Sequence, residues 1–214
     1  VALFDLDDTL VDRASAFSAW ARWFCDRHHG GPGDLAWLLE ADEGGIRDRG
    51  VLLAGLAARL GLEADDADLV SDYWEAYPTF YAPDPAVLEA LTGLRAAGWH
   101  LAVVTNGPPR QRQKLTRAGL DPLVEYCAVS GELGVAKPDR RIFEAALAGL
   151  GVPDGPDLTA WVVGDRAEAD IAGGRAMGWP TIWMRLGREW SGPGPAPERS
   201  ADDVAHAVAL LLAG

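Results

Sequence analysis

From residue 85 onward, the apolar positions of the chain alternate between two rhythms. Residues 85–97 are apolar at helical spacing and stop at Gly98, and residues 100–104 follow as a short apolar run. The pairing recurs three times. Helical spacing over 110–118 stops at Gly119 before the run 126–129; spacing over 140–150 stops at Gly151 before 160–163; spacing over 167–177 stops at Gly178 before 181–184. Glycine supplies the left-handed residue that ends a helix at little cost. Short apolar strands separated by helices predict a parallel sheet covered on both faces. Residues 3–6 add one more strand at the N-terminus.

Residues 14–82 break this alternation. Residues 14–29 are amphipathic, with Phe17, Trp20, Trp23 and Phe24 at helical spacing. Residues 34–40, 46–60 and 67–80 also read as helices, and no strand is evident among them. The expected fold is therefore α/β, a Rossmann-like parallel sheet with helices on both faces and an all-helical insert. The expected division is 1–13 with 83–214 as the core and 14–82 as the insert, with Pro83 and Pro85 marking the return. Residues 187–200, rich in Pro and Gly, read as a loop. A last helix over 201–213 is expected to start at a Ser200 cap.

Composition changes this picture little. The chain has 214 residues, of which 24% are charged and 49% hydrophobic, as in an ordinary globular protein. No apolar run reaches the roughly 18 residues of a membrane span. The start has no basic n-region or cleavage site, and its lack of a Met suggests a trimmed residue; a cytoplasmic location is expected. Cys25 and Cys127 are far apart, outside any C-x-x-C pair, and are expected to be buried thiols. The net charge of −13 argues against nucleic acid or an anionic membrane as a partner. It also means that any phosphate site must gather its own positive charge. A monomer or homodimer is expected.

The candidate chemistry begins at Phe4-Asp5-Leu6-Asp7-Asp8-Thr9-Leu10. Like charges at about 4 Å repel by on the order of 1 kcal/mol in water and more when half-buried. Three carboxylates at a strand's end therefore call for a cation or a shared proton. A solvated acidic loop is the plain alternative. The position favours a site, because parallel α/β sheets bind ligands at the carboxyl ends of their strands.

Asp5-x-Asp7-x-Thr9 resembles the first motif of the haloacid dehalogenase superfamily. Thr105-Asn106 after a strand resembles the second motif, Lys137 in Gly134-Val135-Ala136-Lys137-Pro138-Asp139 at a helix start the third, and Gly164-Asp165 with Asp170 the fourth. The resemblance implies a phosphatase of that family. Asp5 would be the nucleophile that forms an aspartyl-phosphate, and Asp7 the proton shuttle to the leaving group and from water. Thr105, Asn106 and Lys137 would hold the phosphoryl oxygens. Asp5, the backbone carbonyl of Asp7 and Asp165 would bind Mg²⁺, with Asp170 behind these ligands or reaching the ion through water. The helical insert would act as a cap that selects among small phosphorylated substrates. The dehalogenating members lack an acid at the position of Asp7. The phosphonate-cleaving members use an insert lysine, and 14–82 contains none. Residues 130–138 resemble the branch that includes nucleotide and phosphoglycolate phosphatases. Arg166 stands where the family often has a small or acidic residue.

Two alternatives stay open at this point. One is a sugar-phosphate mutase of the same superfamily; the other is a non-catalytic phospho-accepting domain. Some side chains invite further readings. His28 and His29 point to different sides of a helix and are poor candidates for one metal. Most of the nine tryptophans are expected in the core, with Trp74, Tyr77 and Tyr81 as possible recognition residues. Arg110, Arg112 and Lys114 read as a solvated helix face, and Arg13 and Arg47 as possible contacts to an anionic substrate.

Overall fold

The structure, a computed structural model, describes residues 1–63, 66–153, 155 and 158–214. It divides into two compact units, 1–11 with 82–214, and 12–81.

The larger unit is built on six parallel strands. They are β1 (Ala2–Phe4), β2 (Leu101–Thr105), β3 (Tyr126–Val129), β4 (Trp161–Gly164), β5 (Thr181–Met184) and β6 (Arg199–Ala201), in the order β3-β2-β1-β4-β5-β6. The order reverses between β1 and β4, and this is where such sheets bind ligands. Leu3 pairs with Ala102 on one side and with Val162 on the other. These three pack with Val104, Ala128 and the buried side of the helix Arg140–Gly149, including Ile142, Phe143 and Ala146. Alternation along the strands sends Ala2, Phe4 and Val103 to the opposite face, and all three are buried.

The smaller unit is all helical. It contains α1 (Arg13–Arg27), α2 (Pro32–Ala41), α3 (Arg49–Leu60) and α4 (Asp66–Ala76), with single 3₁₀ turns at Glu43–Gly45 and Tyr77–Phe80. Asp12 caps α1 by accepting from the Ser15 N–H, and Asp48 caps α3 by accepting from the Val51 N–H. Trp20, fully buried, centres an aromatic cluster with Phe17, Phe24, Tyr73 and Tyr77.

The remaining helices belong to the larger unit: α5 (Pro85–Ala96), α6 (Gln111–Arg117), α7 (Ser130–Leu133), α8 (Arg140–Gly149), α9 (Ala172–Met177) and α10 (Val204–Leu212). Among the described residues no helix is long and apolar enough to cross a membrane.

Several local expectations are corrected. Ser200 lies in β6, and Asp203 is the residue that caps α10, by accepting from the His206 N–H. Lys137 stands before α8 rather than inside its start, since Asp139 is the cap. The stretch 167–177 opens with one wide π turn, Ala167–Ile171, before α9. Tyr77 and Tyr81 lie in the core rather than on the surface; both are buried, and their hydroxyls hydrogen-bond each other at 2.6 Å. Of the tryptophans, Trp20, Trp179 and Trp183 are buried and Trp23 is exposed, so fewer lie in the core than the pattern suggested. Cys25 and Cys127 are buried free thiols.

Candidate active site

The strand ends of the larger unit bring the expected residues together. Asp5 directly follows β1, and its N–H donates to Val163 of β4 at 2.8 Å. Beyond it the chain turns tightly, because the Leu6 carbonyl accepts from the N–H groups of Leu10 and Val11. Thr105 ends β2, and Asp165 directly follows β4. Asp5, Thr105, Lys137, Asp165 and Asp170 are all buried.

Lys137 is the centre of charge. Its Nζ lies 2.5 Å from Asp5 Oδ1 and 2.7 Å from Asp170 Oδ1. Burial disfavours the ammonium, but Asp170 and Asp5 outweigh it and hold the Lys137 pKa above its usual value. The Asp170 Oδ2 accepts from the Arg166 backbone N–H at 2.9 Å, while the rest of Arg166 is exposed. The π turn that carries Asp170 is the kind of helical irregularity common at functional sites.

Asp5, Asp165 and Asp170 each offer an oxygen within 4.8 Å of the others. Burial, followed by the neighbouring charges, pushes Asp5 up to about 7 despite Lys137. Burial and Asp170 push Asp165 up to about 6. These carboxylates are short of positive charge, and a small divalent cation fits that need. An all-oxygen donor set suits Mg²⁺ rather than a softer metal. His28 follows the end of α1, its ring tilted against that of Phe24 at 4.3 Å.

Asn106 turns its side chain to Lys137. Its Oδ1 accepts from the Lys137 N–H at 2.8 Å, and its Nδ2 donates to the Lys137 carbonyl at 3.0 Å. The side chain thus clamps the backbone of the central lysine.

The Asp7 surroundings were missed by the sequence reading. Lys114 Nζ lies 2.7 Å from Asp7 Oδ1 and 2.6 Å from Oδ2, and Lys114 is only 5% exposed. The solvated-face reading of Lys114 is therefore wrong. It holds for Arg112, whose exposed guanidinium pairs with Glu132 at 2.7 Å. Spacing carried the signal, since Gln111, Lys114, Leu115 and Ala118 form one inward stripe at i, i+3, i+4 and i+7. Arg188, in the expected loop, was also missed. Its Nη2 lies 3.1 Å from Asp165 Oδ2. The Trp183 indole N–H donates to the Asp165 carbonyl at 2.9 Å.

Comparison with known proteins agrees with this arrangement. The model of haloacid dehalogenase-like hydrolases matches residues 1–178. A glyceraldehyde 3-phosphate phosphatase of Pyrococcus furiosus is 32% identical over 202 residues, covering 88% of this chain and 81% of that protein. A phosphoserine phosphatase of Thermus thermophilus is 36% identical over 129 residues, 60% of this chain and about half (49%) of the relative's length. The magnesium-bound HAD-hydrolase YfnB of Bacillus subtilis shares the fold, with a TM-score of 0.75 at 24% identity over 98% of this chain and 97% of that one. With the family model spanning most of its length and its acidic strand ends gathered around one lysine, this chain belongs to the haloacid dehalogenase-like hydrolases.

Proposed function

We propose that the chain is a Mg²⁺-dependent phosphomonoester hydrolase that acts on a small phosphorylated metabolite through an aspartyl-phosphate on Asp5. The observation that carries this reading is the Asp5–Lys137 contact of 2.5 Å beside Asp165 and Asp170. It joins a nucleophile, a positive charge and a cation-binding oxygen set in one buried place. Asp7, two residues beyond Asp5, supplies the acid that dehalogenation does not need.

In the first half of the reaction a carboxylate oxygen of Asp5 attacks phosphorus. The bond to the leaving oxygen breaks, and Asp7 gives that oxygen a proton. In the second half Asp7 takes a proton from water, the water oxygen attacks phosphorus, and the bond to Asp5 breaks to release phosphate. Thr105 donates to a phosphoryl oxygen, and Lys137 offsets charge on the phosphoryl group and on Asp5. Asp5, Asp165 and Asp170, with the Asp7 backbone carbonyl, are the groups that would hold Mg²⁺. Bound there, the ion supplies charge neutralisation and orientation for a phosphate dianion in a site rich in carboxylates.

The test is phosphate release from a panel of phosphomonoesters. Three-carbon phosphates come first in it, because relatives are named for glyceraldehyde 3-phosphate and phosphoserine. Release is expected with Mg²⁺, none in excess chelator, and none from Asp5→Asn. Turnover that survives the chelator or the Asn variant would remove this reading.

A further inference from the structure

Helix α6 sets two buried polar side chains against the site, and the reaction above gives neither a task. Lys114 meets both oxygens of Asp7, at 2.7 and 2.6 Å. Gln111 is 2% exposed, and its Nε2 lies 2.8 Å from Asp7 Oδ2 and 2.8 Å from Thr105 Oγ1.

The orientation of the Gln111 amide follows from donor and acceptor chemistry. The Asp7 Oδ2 accepts, so the amide nitrogen faces it. The same nitrogen gives its second hydrogen to Thr105. The Thr105 oxygen is then an acceptor on that side, and its own O–H is left to donate elsewhere. Gly107 completes the arrangement. A Cβ there would stand 2.9 Å from both Cγ and Cδ of Gln111, so the amide reaches Thr105 only past a residue without a side chain.

An ammonium held on both oxygens sets the position of the Asp7 carboxylate. Proton transfer needs heavy atoms within about 2.6–3.2 Å, and a misplacement of about 1 Å costs on the order of 10²-fold in rate. We infer that Lys114 and Gln111 are positioning residues: Lys114 aims the Asp7 carboxylate at the leaving group, and Gln111 commits the Thr105 hydroxyl to donate to the phosphoryl group. This rests on the proposed role of Asp7 as proton shuttle. Each meets the reacting groups through a partner, Lys114 through Asp7 and Gln111 through Asp7 and Thr105.

The two roles separate by leaving group. Glycerol phosphate has a poor leaving group that needs a proton; 4-nitrophenyl phosphate has a good one that needs little help. Lys114→Met should lower kcat for glycerol phosphate by about 10²-fold and lower kcat for the aryl phosphate far less, with KM nearly constant for both. Lys114→Arg should recover part of the glycerol phosphate rate. Gln111→Leu and Gly107→Ala should instead raise KM for both probes together. If Lys114→Met does not fold, Lys114→Gln takes its place in the comparison.

Equal loss on both probes in the Lys114 variant would make Lys114 a structural or phosphate-binding residue and overturn its part. Unchanged KM in the Gln111 and Gly107 variants would overturn the other part. A wild-type chain active on the aryl phosphate alone would leave Asp7 without a leaving group to protonate and overturn this inference only. A wild-type chain that releases phosphate from neither probe nor any member of the panel above would remove the phosphatase reading along with it.

Discussion

The Asp170 carboxylate occupies the space in which a side chain at Gly164 would begin. A Cβ added at 164 would stand 2.2 Å from Asp170 Cγ and 2.3 Å from its Oδ2. Asp170 is also the second carboxylate on Lys137 and one corner of the acidic triad. Gly164→Ala must therefore push Asp170 away from both. Overpacking of this kind destabilises by about 1–3 kcal/mol. The variant should need more Mg²⁺ for a half-maximal rise in melting temperature. A MgCl₂ titration that matches wild type would mean that Asp170 takes no part in holding the cation.

The raised carboxylates give the metal-free protein a defined pH dependence. With Asp5 at about 7 and Asp165 at about 6, the folded chain keeps protons that the unfolded chain has released. Their contribution to stability is full below the ordinary carboxylate range, about pH 4, and is lost as pH rises through 6 to 7. Asp5→Asn removes one of these groups. In chelator its melting temperature should exceed that of wild type by more at about pH 8 than at about pH 5. Mg²⁺ at the higher pH should raise wild type and narrow the gap. A gap that does not change with pH would mean that Asp5 carries its charge in the folded state without penalty.

Asn106 is expected to act on Lys137 rather than on substrate. Its two hydrogen bonds tie down the backbone of the residue whose Nζ meets Asp5. Asn106→Ala leaves a backbone N–H and carbonyl to find other partners, and the expected loss of stability is about 1–3 kcal/mol. The turnover number should fall with it, since the lysine loses its fixed place. Urea melts and steady-state kinetics on one substrate check both. Unchanged stability with a raised KM would return Asn106 to the phosphate contact that the motif suggested.

The legible part of the fold was the part written in local periodicity. Gly98, Gly119, Gly151 and Gly178 all adopt the positive φ expected of helix-stopping residues. The strands before Asp5, Asn106 and Asp165 were visible as apolar runs, which is why the site could be located. β6 was not visible, because a half-buried Arg-Ser at an edge strand carries no apolar signal. Lys114 is not legible either, because a charged residue on a helix reads the same whether it meets solvent or a buried partner. Its pairing with Asp7, 107 positions earlier in the chain, is a tertiary fact. The same holds for the Asn106 side chain on the Lys137 backbone and for Arg188 on Asp165, which meet only after the strands align.

In the helical unit, Asp42 stands between two arginines, and its removal should open that unit first. Arg13 Nη2 lies 2.7 Å from Asp42 Oδ2, and Arg49 Nη1 lies 2.7 Å from Oδ1. The three side chains are only 10%, 13% and 3% exposed for Arg13, Arg49 and Asp42. Asp42 thus meets two buried guanidiniums, and the same carboxylate accepts from the Gly45 N–H at 3.0 Å. Both guanidiniums also lie over the Phe17 ring, at 5.7 and 5.6 Å. Such contacts contribute about 0.5–2 kcal/mol each and soften the loss of a counter-charge without replacing it. Breaking a buried pair from one side typically costs about 3–5 kcal/mol, because the orphaned charge stays buried. Asp42→Asn keeps the shape and an acceptor for Gly45 while dropping the charge, so it isolates the electrostatic part. Backbone amides of α1, α2 and α3 should then exchange hydrogen faster, by an amount that reflects a loss of that size. Amides of β1, β2 and β4 should change less, since they are held by a separate core. Exchange in α1 to α3 that stays at the wild-type rate would mean that the two arginines find enough solvent or aromatic contact to do without Asp42.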